Sequence, residues 1–247
     1  MNKRLENWVN WVLYDELVNG TLNAPRHLLG IHDYGDGQVI TVYRPHAKQV
    51  CVTTVTGKNP IEMEELAPDL YGIYFKTKKF KGNKYKIRTT YQDDTVVLTA
   101  DCYAFTKEII TDYDIYLFAE GKNYDIYEKL GAHPMTMDGV KGTYFAEWAP
   151  NARRVSVVGD FNMWDGMLHP MHIHSASGIY ELFIPDVMPG AVYKFQILTR
   201  TGDILYKADP YGNQAQVRPD NANIVTDLTG FKWSDGKWVE DRDKVSR

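Results

Sequence analysis

Past residue 20, apolar positions in this chain alternate with polar ones in short runs. The first stretch instead repeats at helical spacing. There Leu5, Val9, Val12, Leu13 and Leu17 recur every three or four residues with charge between them, which predicts one amphipathic helix over residues 3–18 that stops at Asn19-Gly20. From Arg153 to Val158 the period is two. Val155 and Val157 lie on one face and Arg154 and Ser156 on the other, the mark of a half-buried strand. The same reading places strands near 142–148, 153–158, 168–174, 178–184, 191–199, 203–208 and 222–226. A short helix is predicted from Asp112 to Glu120, ending at Gly121.

The chain also repeats itself. LLGIH at 28–32 returns as KLGAH at 129–133, and RPHAKQVCV at 44–52 returns as APNARRVSV at 149–157. YGIYF at 71–75 pairs with SGIYEL at 177–182, and Tyr85-Lys86-Ile87 with Tyr193-Lys194-Phe195. LTADCY at 98–103 pairs with YKADPY at 206–211. The offset stays at about 100–108 residues, far longer than a solenoid period, so this is a duplicated domain. Each copy carries short alternating strands punctuated by Gly, Pro, Asn and Asp. The expected class is therefore all-β: two tandem immunoglobulin-like β-sandwich domains preceded by a short helix. The expected division is a helix at 1–20, a first sandwich at 21–111, a second at 112–234 and a polar connector at 235–247.

Composition narrows the function. With 44% hydrophobic and 24% charged residues the chain can bury a sizeable core. The net charge of −4, with the acidic excess after residue 111, argues against nucleic acid as a partner. No apolar run is long enough for a membrane span, and the N-terminus lacks a signal peptide's apolar core. Cys51 and Cys102 show no metal-binding or CxxC spacing, so a reduced, cytoplasmic chain is expected. His172 and His174 are two apart on a strand, but no third ligand follows at a telling spacing; no metal and no cofactor are expected. The basic run from Lys76 to Arg88 reads as the solvated faces of a hairpin.

One loop does not fit a purely structural reading. Gly159-Asp160-Phe161-Asn162-Met163-Trp164-Asp165-Gly166 holds a large indole in a polar, glycine-bounded segment. Such a ring is either a plug or a binding platform. A sugar site on a sandwich needs an aromatic ring to stack on a pyranose face and amides or ammonium groups for its hydroxyls. Trp164 could supply the ring, Lys194 a donor from a strand whose neighbours Tyr193 and Phe195 face the core, Tyr206 a second ring, and Asn223 an amide at the last strand. Spacing alone does not bring these four together.

GDFNMWDG, GIYELFIP, YKF, ADPYG and NIV, in that order, resemble the family 48 carbohydrate-binding modules. The stretch LGAHPMTMDGVKGTYFAEWAPNARRVSVVGDFNMWDGMLHPM is similar to the segment that precedes the catalytic barrel in 1,4-alpha-glucan branching enzymes. The first copy is similar to the extra N-terminal domain of many bacterial members. The resemblance implies that Trp164, Lys194, Tyr206 and Asn223 contact alpha-glucan (glycogen or malto-oligosaccharides), and that a catalytic barrel is the other partner. It also implies a non-catalytic role for this chain, since the family's carboxylates sit on that barrel. Tyr206 departs from the Trp of strong binders. The first copy has Thr54-Val55-Thr56-Gly57-Lys58-Asn59 where the Trp164 loop should fall, so it is expected to be structural or to bind glucan elsewhere. An isoamylase-type front end, a stand-alone glycogen-targeting module and a structural spacer are the alternatives.

Overall fold

The computed structural model describes residues 3–174, 177–230, 232–242 and 244. Its N-terminal segment is two helices, α1 (Lys3–Trp8) and α2 (Trp11–Val18), where a single one was expected. Asn10 makes the break. Its side chain caps α2 by accepting from the Val12 and Leu13 amides, at 3.1 and 3.4 Å. Leu5, Val9 and Leu17 are buried and Leu13 is partly buried, whereas Val12, expected on the same stripe, is 68% exposed because the break at Asn10 turns α2 away from the continuous helical phase.

The first sandwich holds β1 (Gly30–Tyr34), β2 (Gly37–Tyr43), β3 (Ala47–Thr53), β4 (Ile61–Glu62), β5 (Glu64–Ala67), β6 (Leu70–Phe75), β7 (Lys86–Tyr91) and β8 (Val96–Thr99). Its sheets run β1-β2-β6-β5 and β4-β3-β7-β8. Helix α3 (Asp112–Ala119) follows, begun by a Thr111/Asp114 capping box.

The second sandwich holds β9 (Gly131–Met137), β10 (Val140–Trp148), β11 (Ala152–Gly159), β12 (His172–Ile173), β13 (Ile179–Pro185), β14 (Val192–Thr199), β15 (Ile204–Lys207) and β16 (Asn223–Ile224). One sheet runs β9-β10-β13-β12; the other runs β11-β14-β15, with β16 also on β14. The expected strands are present, and β9 is an addition: its Pro134 breaks the alternation that marks the others. The tail after Asp235, expected as a plain connector, contains helix α4 (Gly236–Arg242) with no buried residue. Residues 243 and 245–247 of that connector, and 1–2 of the N-terminal segment, lie outside the described residues.

The duplication extends to single hydrogen bonds. Tyr85 donates to Asp101 at 2.6 Å, and Tyr193 to Asp209 at 2.6 Å. The Tyr71 hydroxyl donates to the Ala47 carbonyl, and the Tyr180 hydroxyl to the Ala152 carbonyl, both at 3.1 Å. Gly30 and Gly131 share φ near +100°, and a Cβ at either would meet Tyr103 or Tyr211 respectively.

The sheet β9-β10-β13-β12 is buried on both faces. Phe145, Leu182 and Ile184 point into the second sandwich, while Tyr144, Ala146, Ile179 and Phe183 join a core shared with Phe105 and Ile110. Glu181 sits fully buried in that seam. It accepts from the Tyr144 hydroxyl at 2.7 Å and from the Ile109 and Ile110 amides, and lies 3.4 Å from the Arg26 guanidinium. A buried charge needs such partners. No helix among the described residues is long and apolar enough to cross a membrane.

Candidate glucan-binding site

The outer face of β11-β14-β15 is set by strand alternation. Tyr193 and Phe195 are buried inside, so Lys194, Gln196 and Leu198 point outward. Across β11, Arg154 pairs with Leu198, Ser156 with Gln196 and Val158 with Lys194; across β15, Tyr206 pairs with Gln196. The segment 164–170 folds over this face. Pro170 bridges to Ser156, and Gly166 lies so close to Gln196 that a Cβ would stand 1.9 Å from the Gln196 amide oxygen.

Trp164 is held tightly in this loop. Met163 and Trp164 both take left-handed backbone angles, φ 55° and 61°. Two successive residues without a glycine in that region cost about 1–3 kcal/mol each, strain typical of functional loops. Asn162 locks the turn. Its Oδ1 accepts from the Gly159 amide at 2.9 Å, and its Nδ2 donates to the Val157 carbonyl at 2.9 Å and meets His169 Nδ1 at 2.8 Å. Burial, with Arg44 nearby, lowers the His169 pKa to about 3, so the ring is neutral. The indole Nε1 donates to Asp160 Oδ1 at 2.8 Å, and the ring stays partly exposed.

Of the four residues expected from sequence, Lys194 and Tyr206 stand on this face and Trp164 on the loop that folds against it. Tyr206 is 50% exposed, and its hydroxyl accepts from Gln196 at 2.9 Å. The Lys194 ammonium is partly exposed and donates to Asn221 Oδ1. Asn223 stands apart from them and corrects the expectation. It is buried, its Oδ1 accepts from the Asp209 amide at 2.7 Å and its Nδ2 reaches the Asp209 carbonyl at 3.4 Å. Its amide ties β16 to the turn after β15. The exposed amide beside Lys194 is Asn221, two residues earlier, whose Oδ1 accepts from the Lys194 ammonium. Sequence reading also missed Gln196, although it stands two positions from Lys194 on one strand, and Asp160, four positions before Trp164.

His172 and His174 do not form a histidine pair site. His174 instead joins Glu181 and Glu108, with ligand atoms within 4.8 Å of one another. Arg26 already stands 3.4 Å from the Glu181 oxygen that faces His174, so a cation is in place there. Arg26 and Glu181 form a buried ion pair in the seam between the two sandwiches, with His174 Nε2 3.4 Å from the same carboxylate oxygen.

Comparison with known proteins matches both halves of the chain. Residues 11–103 match the family described as alpha-1,4-glucan branching enzyme GlgB, N-terminal domain, and residues 129–212 match carbohydrate-binding module 48 (isoamylase N-terminal domain). The chain carries a GlgB N-terminal domain followed by a family 48 module. It is 44% identical over 228 residues to a 1,4-alpha-glucan branching enzyme GlgB of Rubrobacter xylanophilus, covering 92% of this chain and 31% of the relative. It is 40% identical over 236 residues to that of Nitrosococcus oceani, covering 92% of this chain and 30% of the relative. The chain thus spans less than a third of these relatives. A pullulanase from Anoxybacillus sp. LM18-11 aligns over 83% of this chain and 28% of its own, at 15% identity and a TM-score of 0.36. The Trp164 loop and both of its supporting strands fall inside the family 48 module.

Proposed function

We propose that this chain binds alpha-1,4-glucan on the Trp164 face of its family 48 module and positions it for a branching enzyme of which it forms part. The carrying observation is the fixed, part-exposed indole on a loop that packs through Gly166 against Gln196, on the face that presents Lys194 and Tyr206. Trp164 and Tyr206 offer ring faces for the apolar side of glucose, and Lys194 with Asn221 offers polar groups for its hydroxyls. The GlgB-type match over residues 11–103 favours a branching enzyme over an isoamylase-type parent. The chain turns nothing over in this reading; iodine staining showing branching by the 247-residue chain would reject that part. Calorimetry with maltoheptaose tests binding. Trp164→Ala should weaken it by roughly 30-fold, the loss of about 2 kcal/mol typical of a buried aromatic anchor. Equal affinity of wild type and variant would reject the site.

A further inference from the structure

One hollow among the described residues is not on the Trp164 face. It lies behind it, between the two sandwiches, with a volume of about 640 Å³, inside the range of about 300–1,000 Å³ usual for small-molecule sites. One wall is the first sandwich: Tyr91 at the end of β7, with Val97 and Thr99 on β8. The opposite wall is the back of the Trp164 loop, through Phe161, Met163 and Leu168.

Its chemistry is amphipathic and close to neutral. Rings and branched side chains form the walls, while Gln92 and the threonine hydroxyls supply hydrogen-bonding groups. Arg44 and Asp93 are the one basic and one acidic side chain among its Lys, Arg, Asp and Glu lining positions. Two histidines also line it: His46 is exposed, and His169 adds no charge, since burial keeps it neutral. That balance suits neither a phosphate nor a cation. It suits an uncharged molecule with apolar faces and hydroxyl edges. The hollow is also elongated. A narrower extension of about 170 Å³ shares Thr99, Ala100, Phe161 and His169 with it and runs on to Ile184–Val187.

We propose that this groove between the sandwiches is a second alpha-glucan subsite, holding a linear malto-oligosaccharide between the first sandwich and the back of the Trp164 loop. It rests on the reading that the chain binds alpha-glucan, and gives the first sandwich a binding role although it lacks a Trp164 loop. Trp164 in front and Phe161 and Leu168 behind belong to one loop, so the two sites share a wall.

Calorimetric titration of the 247-residue chain with maltoheptaose tests it. The expected result is two equivalents for wild type, one for Trp164→Ala, and none for Trp164→Ala combined with Val97→Trp, which fills the groove. Tyr91→Ala, which removes a wall ring without adding bulk, should weaken the same site at least 5-fold; a melting temperature near the parent's shows that either variant is folded. One equivalent in wild type that Trp164→Ala abolishes overturns the groove and leaves the Trp164 site standing. Loss of one equivalent with Val97→Trp but none with Trp164→Ala supports the groove and rejects the Trp164 site. An equivalent that survives in the double variant overturns the groove, and no binding by wild type overturns both.

Discussion

The Trp164 indole donates its Nε1 proton to Asp160 Oδ1 at 2.8 Å, one turn back along the same loop. The ring is therefore oriented before any ligand arrives, which reduces the entropy lost on binding. Asp160→Ala should leave the fold intact, because Asp160 is exposed, yet lower maltoheptaose affinity by about 3- to 10-fold, the worth of one hydrogen bond's ordering. Asp160→Asn keeps an acceptor and should retain most of the affinity. Calorimetry on both variants checks this; an unchanged affinity in Asp160→Ala would show that the ring is positioned by packing alone.

The two asparagines near the last strand should separate cleanly. Asn221 is exposed and meets Lys194, whereas Asn223 is buried and holds the Asp209 backbone. Asn223→Ala strips a partner from a buried amide, so it should lower stability by about 1–3 kcal/mol. Asn221→Ala should weaken glucan binding with little change in melting temperature. Thermal melts beside titrations test the pair, and a reversed pattern would return the binding role to Asn223.

Much of this arrangement was legible in the sequence. Short strand-like runs between turn residues placed seven strands of the second sandwich, and the alternation is plainest in β14, where Tyr193 and Phe195 are buried and Lys194 is not. The repeat announced the shared topology, down to the Tyr85–Asp101 and Tyr193–Asp209 bonds. Three things were hidden. Strand β9 pairs with β10 through a segment whose Pro134 and Gly131 obscure the pattern. The helix break at Asn10 depends on a side-chain cap that competes with a continuous apolar stripe. Asn223 and Asn221 differ by two positions, and which of them faces outward is decided by the turn at Asp209, a tertiary contact no local pattern records.

Gly166 connects the two rings of the site. A Cβ there would stand 1.9 Å from the Gln196 amide oxygen, and Gln196 cannot simply swing away. It is buried, bonded to the Arg154 guanidinium on one side and to the Tyr206 hydroxyl at 2.9 Å on the other. Gly166→Ala should displace either the loop or Gln196. Overpacking of this kind costs about 1–3 kcal/mol, and glucan affinity should fall with stability. Tyr206→Phe removes only the hydroxyl, so it should spare stability relative to Gly166→Ala. Denaturant melts of both variants check the order; equal stabilities would mean that the loop yields freely.

Glu147 sets a pH dependence of the second sandwich. It lies on β10 facing the interior, and its Oε2 has no hydrogen-bond partner. Burial, together with the nearby Asp209 carboxylate, raises its pKa from 4.5 to about 8. Below pH 4.5 the group is protonated in both folded and unfolded chains and carries no penalty. Between about pH 4.5 and 8 the unfolded chain releases the proton while the folded one keeps it, so stability falls as pH rises. Asp209, raised in the same direction by burial, adds to this slope. Glu147→Gln removes the ionisation, so its melting temperature should match wild type near pH 4.5 and exceed it increasingly toward pH 8. At about 1.4 kcal/mol per pKa unit the gain at pH 8 is of the order of 4–5 kcal/mol, or roughly 8–20 °C for a chain of this size. Calorimetric melts across that range decide the matter, and a difference that stays flat with pH would mean that Glu147 ionises freely in the folded chain.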